Sequence, residues 1–133
     1  MSLYAAFSKY NLNDEAVFII INCLVYFLDE KEIYIDKFKQ LMECGYAHGE
    51  FAGIEIWDED SEEDHGIKEK FDGYLFFLDG DMFNDYGDED LQVILTNEDI
   101  MPFIKDIIDW YKHIPNSRVD EFIKLATKHE FYP

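Results

Sequence analysis

The sequence predicts an α+β fold: a small three-stranded antiparallel sheet packed with two N-terminal and two C-terminal helices. Three observations predict it. Apolar residues near both ends recur at helical spacing. Those in the middle switch to short strand-like runs. The order helix–helix–strands–helix–helix keeps the two kinds of element apart along the chain, as α+β folds do.

The elements follow in order. Asn13 or Asp14 can cap a first helix, with Glu15 in its first turn and the apolar run Ala16 to Leu28 after it. This run is apolar almost all round, so the helix should be central and buried. Asp36 to Cys44 forms a second helix, with Phe38, Leu41 and Met42 at helical spacing and Gly45 as terminator. Ile54 and Ile56 then alternate with Glu55 and Trp57, the pattern of a half-buried strand. Tyr74 to Leu78 is a continuous apolar run that suits a strand covered on both faces, and Leu91 to Leu95 is a third strand. Acidic loops join them in a meander with the Tyr74 strand in the middle. Thr96, Asn97 and Asp99 offer caps for a long helix through Tyr111, in which Pro102 should fall in the first turn or else kink the start. Pro115 ends it. Ser117 with Asp120 resembles a capping box for a last helix carrying Val119, Phe122, Ile123 and Ala126.

The chain has 133 residues, the length of a single domain spanning 1–133. At this size roughly 68% of the unfolded surface is buried on folding, enough for one core. Aromatics make up 17% of the residues, which separates this acidic chain from disordered acidic sequences. Its two cysteines, Cys23 and Cys44, are too few for a disulfide framework, and reduced thiols in the cytoplasm are the expected state. The 13-residue apolar run Ala16 to Leu28 is short for a membrane span, and Asp14 and Glu15 stand where a signal peptide would carry positive charge. A formal net charge of −19 argues against nucleic acid and anionic membranes as partners.

The charge is concentrated. Glu55 to Asp90 holds 15 of the 30 acidic side chains and only two basic ones, Lys68 and Lys70, a local net charge of −13. Self-repulsion of this size opposes compaction, and a strongly basic partner is its simplest use. The candidate partner-binding residues lie in two acidic loops with interleaved aromatics. The first contributes Trp57, Asp58, Glu59, Asp60, Glu62, Glu63 and Asp64. The second contributes Asp81, Phe83, Asp85, Tyr86, Asp88, Glu89 and Asp90. Aromatic anchors matter because rim charges raise association rates more than lifetimes. The bland alternative is a pair of solvated loops kept for solubility.

Catalytic readings find little support. HExxH, GxSxG, P-loop and GxGxxG motifs are all absent. An EF-hand loop needs oxygen ligands at positions 1, 3, 5 and 12 with Gly at 6. Placing Gly87 at position 6 puts Met82 at 1, placing Gly66 there puts His65 at 5, and placing Gly80 there puts Leu75 at 1. Only an irregular calcium site survives this test. His48, His65, His113 and His129 show no metal-ligand spacing. No metal, cofactor or catalytic residue is therefore assigned. A carboxylate- or metal-dependent enzyme stands as a third class behind two binding roles.

The layout resembles a known family. A buried N-terminal helix precedes the strand Gly53-Ile54-Glu55-Ile56-Trp57-Asp58, which runs into the acidic stretch. Phe71-Asp72-Gly73-Tyr74-Leu75-Phe76-Phe77 forms a short aromatic–acidic–Gly turn into a strand. A strand running into Thr96-Asn97-Glu98-Asp99 follows, then a long helix ending near Tyr111 and a closing helix from about Ser117. In this order the chain resembles the acidic immunity proteins of bacterial contact-dependent growth inhibition, the CdiI class paired with ribonuclease toxins. The match covers residues 12 to 130, with a longer acidic insert from Gly80 to Asp90 and Pro102 as departures. The resemblance implies a non-enzymatic protein that binds a cognate basic toxin domain and covers its active site. It carries no contact residues over by position. The alternative is a general acidic interaction module or nucleic-acid mimic that occupies another basic protein.

Overall fold

A computed structural model of the chain describes residues 2–57, 66–67, 69–83 and 89–132. Its sheet has four antiparallel strands in the order β1 (Tyr46–His48), β2 (Ala52–Glu55), β3 (Tyr74–Leu78) and β4 (Leu91–Leu95). The helices are α1 (Glu15–Leu28), α2 (Tyr34–Cys44), a single turn α3 (Gly80–Phe83), α4 (Asn97–Tyr111) and α5 (Val119–Lys128), preceded by a 3₁₀ turn over Leu3–Phe7.

The sheet therefore has one strand more than the sequence predicts, and the single turn α3 makes a fifth helix where four are expected. β1 was missed because Tyr46-Ala47-His48 is too short to display a period. It pairs Tyr46 with Glu55 and His48 with Gly53, and only Ala47 points into the core. The meander itself is as expected, and β3 is an interior strand.

Register divides the sheet into two faces. Ala47, Ala52, Ile54, Tyr74, Phe76, Leu78, Leu91, Val93 and Leu95 point into the core or pack against it. α1 lies across this face and contributes Ile19, Ile20, Cys23, Leu24, Phe27 and Leu28, all buried. The expectation that α1 is central holds, except for one stripe: Asn22 is half-buried and Tyr26 exposed. Asp14 caps α1 by accepting the Val17 N–H at 3.2 Å. Gly45 ends α2 in the left-handed conformation (φ 78°), which glycine adopts without a Cβ penalty.

The far side of the helical layer is fastened by tyrosines. The rings of Tyr34 (α2) and Tyr111 (α4) stack with centroids 3.8 Å apart. Burying a phenol requires a partner for its hydroxyl. Tyr34 donates to the Ser117 carbonyl at 2.7 Å, and Tyr111 donates to the Leu28 carbonyl. The 3₁₀ turn and the residues after it dock on α4 through the rings of Phe7, Tyr10 and Phe103 and through Asp106.

Three local expectations are corrected. Pro102 is the sixth residue of α4, beyond the first turn, because capping begins at Thr96. Thr96 accepts from the Asp99 N–H and Asp99 accepts from the Thr96 N–H, a reciprocal capping box. Ser117 does not cap α5: its hydroxyl is buried and donates to the Tyr111 carbonyl at 2.7 Å, and Arg118 occupies the cap position in the left-handed conformation. Glu55, expected on the wet side of a half-buried strand, is itself buried, while Ile56 is exposed.

Candidate partner-binding surface

The outer face of the sheet presents Tyr46 and His48 from β1, Gly53 and Glu55 from β2, Leu75 and Phe77 from β3, and Gln92 and Ile94 from β4. Tyr46 and Ile94 are exposed, Phe77 is half-buried, and Leu75 is fully buried yet stands apart from the main core. The double burial expected for β3 thus applies to one part of the strand only. Phe77 is held where it is by an absence: a Cβ at Gly53 would lie 2.1 Å from its ring.

On this face His48 Nε2 lies 2.6 Å from Glu55 Oε2, a diagonal cross-strand pair. The Glu55 side chain is 8% exposed and that of His48 is 51% exposed. A buried carboxylate requires a donor, and His48 supplies one from the edge strand. The imidazole also meets the rings of Tyr46 at 5.0 Å and Phe77 at 5.9 Å between centroids. The outcome is an aromatic strip with one sequestered negative charge.

Acids gather at the end of the sheet where β1 turns into β2 and β3 leads to β4. A depression of about 240 Å³ is lined there by Glu50, Phe51, Phe77, Asp79 and Asp90, among others. Backbone contacts hold these acids in place. Asp79 donates its N–H to the Phe51 carbonyl at 2.8 Å, and its carboxylate accepts the Asp81 N–H at 2.9 Å. Asp90 accepts the Gly80 N–H at 3.1 Å.

Charge sorts along the chain. Residues 46–95, the sheet and its connections, hold 16 of the 30 acids but only two of the 11 cations. The remaining 14 acids share their helical segments with nine cations. Among the described residues of that segment, eight acids stand with one cation, Lys70.

The residues singled out from the sequence fall into three groups. Asp81, Glu89 and Asp90 are exposed at the acidic end of the sheet. Phe83 is half-buried, with its ring edge-on to Phe18 of α1 at 6.1 Å, and Trp57 is half-buried with an indole N–H that meets no acceptor among the described residues. Asp58, Glu59, Asp60, Glu62, Glu63, Asp64, Asp85, Tyr86 and Asp88 lie outside the described residues. Sequence reasoning missed Tyr46, His48, Glu55 and Phe77 as a surface, because β1 was not recognised and register decides which side chains share a face. It also missed Glu50, which is isolated in sequence and joins Asp79 and Asp90 only through the strand pairing.

No family model, curated protein or solved structure matches the chain.

Among the described residues no group of three His, Cys, Asp or Glu is placed to hold a metal ion. No helix among them is long and apolar enough to cross a membrane. Cys23 is buried against β2 and β3, with its Sγ 3.4 Å from the Phe77 carbonyl, and burial pushes its thiol up to about 12. A thiol so shifted stays protonated and unreactive at neutral pH.

Proposed function

We propose that this chain is an immunity protein that binds and neutralises a cognate basic toxin domain by covering its active site or substrate surface with an acidic face. A ribonuclease is the toxin chemistry that fits best. It must attract a polyanion, so its cleft is basic, and an acidic protein can stand in for the phosphate backbone there.

The observation that carries this reading is the segregation of charge: 16 acids against two lysines in residues 46–95. Backbone hydrogen bonds to Asp79 and Asp90 give part of that field a fixed geometry. Fixed, one-signed charge steers encounter and can raise association toward ~10⁸–10⁹ M⁻¹s⁻¹ at low salt. Close charge pairs across such an interface couple by about 1.5–7 kcal/mol. The aromatic strip of Tyr46, His48 and Phe77 supplies the kind of anchors that steering alone does not.

A basic toxin domain is expected in a neighbouring gene, and calorimetric titration of this protein with that domain is the test. The expected result is one-to-one binding with a dissociation constant of about 1 nM or tighter, near −12 kcal/mol. Absence of heat at micromolar concentrations rejects the proposal. Capture of a spread of unrelated nucleic-acid-binding proteins in its place would support a general acidic interaction module.

A further inference from the structure

The two acidic connections are not equivalent. In the observed meander the chain leaves β2 at Glu55 and enters β3 at Tyr74 at one end of the sheet, and passes from β3 to β4 at the other. At the second end, the acids adjoin a groove of mixed polar and apolar lining.

This groove runs along the exposed stripe of α1 and encloses about 550 Å³. Tyr4, Tyr26 and Phe83 line it, Asp29 and Glu30 lie along it, and Lys37 is the one cation among its lining residues. Both aromatic walls nearest the sheet are tied to the acidic end by hydrogen bonds. The Tyr26 hydroxyl accepts the Glu50 N–H at 2.9 Å, and the Phe83 N–H is donated to the Asp79 carbonyl at 3.0 Å. Two walls of the groove are thus fastened to the acidic rim.

Its other end is also negative. Asp29 is the C-cap of α1, Glu30 follows it, and no basic residue occupies the last turn of the helix. The C-terminal end of a helix carries partial negative charge, so dipole and carboxylates act together there. Burial, then Asp29, raises the Tyr4 hydroxyl above its ordinary range, in keeping with this local field. Tyr4 and Tyr26 are each more than two-fifths exposed, rigid, and polar at one tip, the side-chain type that anchors interfaces.

We propose that the α1 groove is the anchoring slot for the basic partner: it takes an apolar side chain of a partner segment whose neighbouring Lys or Arg pairs with Asp29 and Glu30. This rests on the proposed function and adds to it where the partner sits, on the β3–β4 end of the molecule and along α1. The connection from β2 to β3 then contributes to steering and not to the lifetime of the complex.

The test uses the full chain and the basic domain encoded beside it, with rates measured by surface-immobilised kinetics. Ile33→Arg places a cation in the groove from an exposed position and Asn22→Arg from a half-buried one, where it also removes the acceptor of the Tyr4 hydroxyl, and circular dichroism checks that both variants remain folded. Each should raise the dissociation rate about tenfold or more, as loss of an interface anchor does. Replacing Asp58, Glu59, Asp60, Glu62, Glu63 and Asp64 by their amides should slow association and leave dissociation unchanged. If the wild-type chain binds but both groove variants dissociate at the wild-type rate, the slot is overturned while the immunity reading stands. If the wild-type chain does not bind the domain, the immunity reading falls and the slot with it. If sedimentation shows a wild-type dimer that Asn22→Arg abolishes, a second copy fills the groove and the proposal is wrong.

Discussion

The Tyr26 hydroxyl accepts the Glu50 backbone N–H at 2.9 Å, joining α1 to the turn between β1 and β2. One side chain thereby serves both the groove and the acidic end of the sheet. Tyr26→Phe keeps the ring and removes the acceptor. It should lower stability by about 0.5–1.5 kcal/mol, the net worth of one hydrogen bond. Urea unfolding with an unchanged m-value checks this, and an unchanged midpoint would show that the contact contributes nothing.

Asp106 fastens the N-terminal segment. Its side chain is 10% exposed and accepts from Lys9 Nζ at 3.0 Å and from the Tyr10 hydroxyl at 2.6 Å. Asp106→Ala should destabilise the protein by about 2–3 kcal/mol, since it leaves a phenol without its charged acceptor. Lys9→Ala should cost less than about 1 kcal/mol, because Lys9 is largely exposed and its ion pair is screened. Denaturant titration of the two variants should reproduce that order.

Pro102 sits past the first turn of α4, where a residue with an N–H would bond the Glu98 carbonyl. Pro102→Ala should restore that bond and stabilise the protein by about 1–3 kcal/mol, less the entropy returned to the unfolded chain. Thr96→Ala should do the reverse by about 1 kcal/mol, because it removes half of the capping box. Thermal melting of both variants provides the comparison.

Stability should fall in alkali. Burial pushes the Cys23 thiol up to about 12 and the Tyr34 hydroxyl up to about 12, and it raises Tyr10 and Tyr111 as well. The unfolded chain releases these protons near pH ~8.5 for the thiol and ~10 for the phenols. Between those values and the raised ones the folded state holds more protons than the unfolded state, so rising pH favours unfolding. The contribution is complete below pH ~8.5; that of Cys23 and Tyr34 is lost progressively up to pH ~12, and that of Tyr10 and Tyr111 at still higher pH. Guanidinium midpoints measured across this range should drop steadily, and a flat profile would contradict the burial of these groups.

Most of the fold was legible because its long elements have a clear period. α1, α4, α5 and the strands Tyr74–Leu78 and Leu91–Leu95 appear where apolar spacing places them. β1 was not legible, since three residues carry no period, and with it went the outer face of the sheet. Alternation at Ile54 to Trp57 misled, because Glu55 is buried beside His48 and not exposed to water. Ser117 looked like a cap because its spacing to Asp120 is right, yet its hydroxyl serves the Tyr111 carbonyl. Within the candidate site, sequence density marked Asp81, Glu89 and Asp90. It could not mark Glu50 or Tyr26, which reach the site only through strand pairing and one hydrogen bond.

Capture of a cationic protein by the acids of residues 46–95 is what the proposed function rests on. Its most direct measurement is the association rate with the neighbour-encoded basic domain as salt is raised from about 10 mM to about 500 mM, over which the screening length falls from ~30 Å to a few Å. A drop of about 10-fold or more is expected, with little change in the dissociation rate. An association rate indifferent to salt would contradict it.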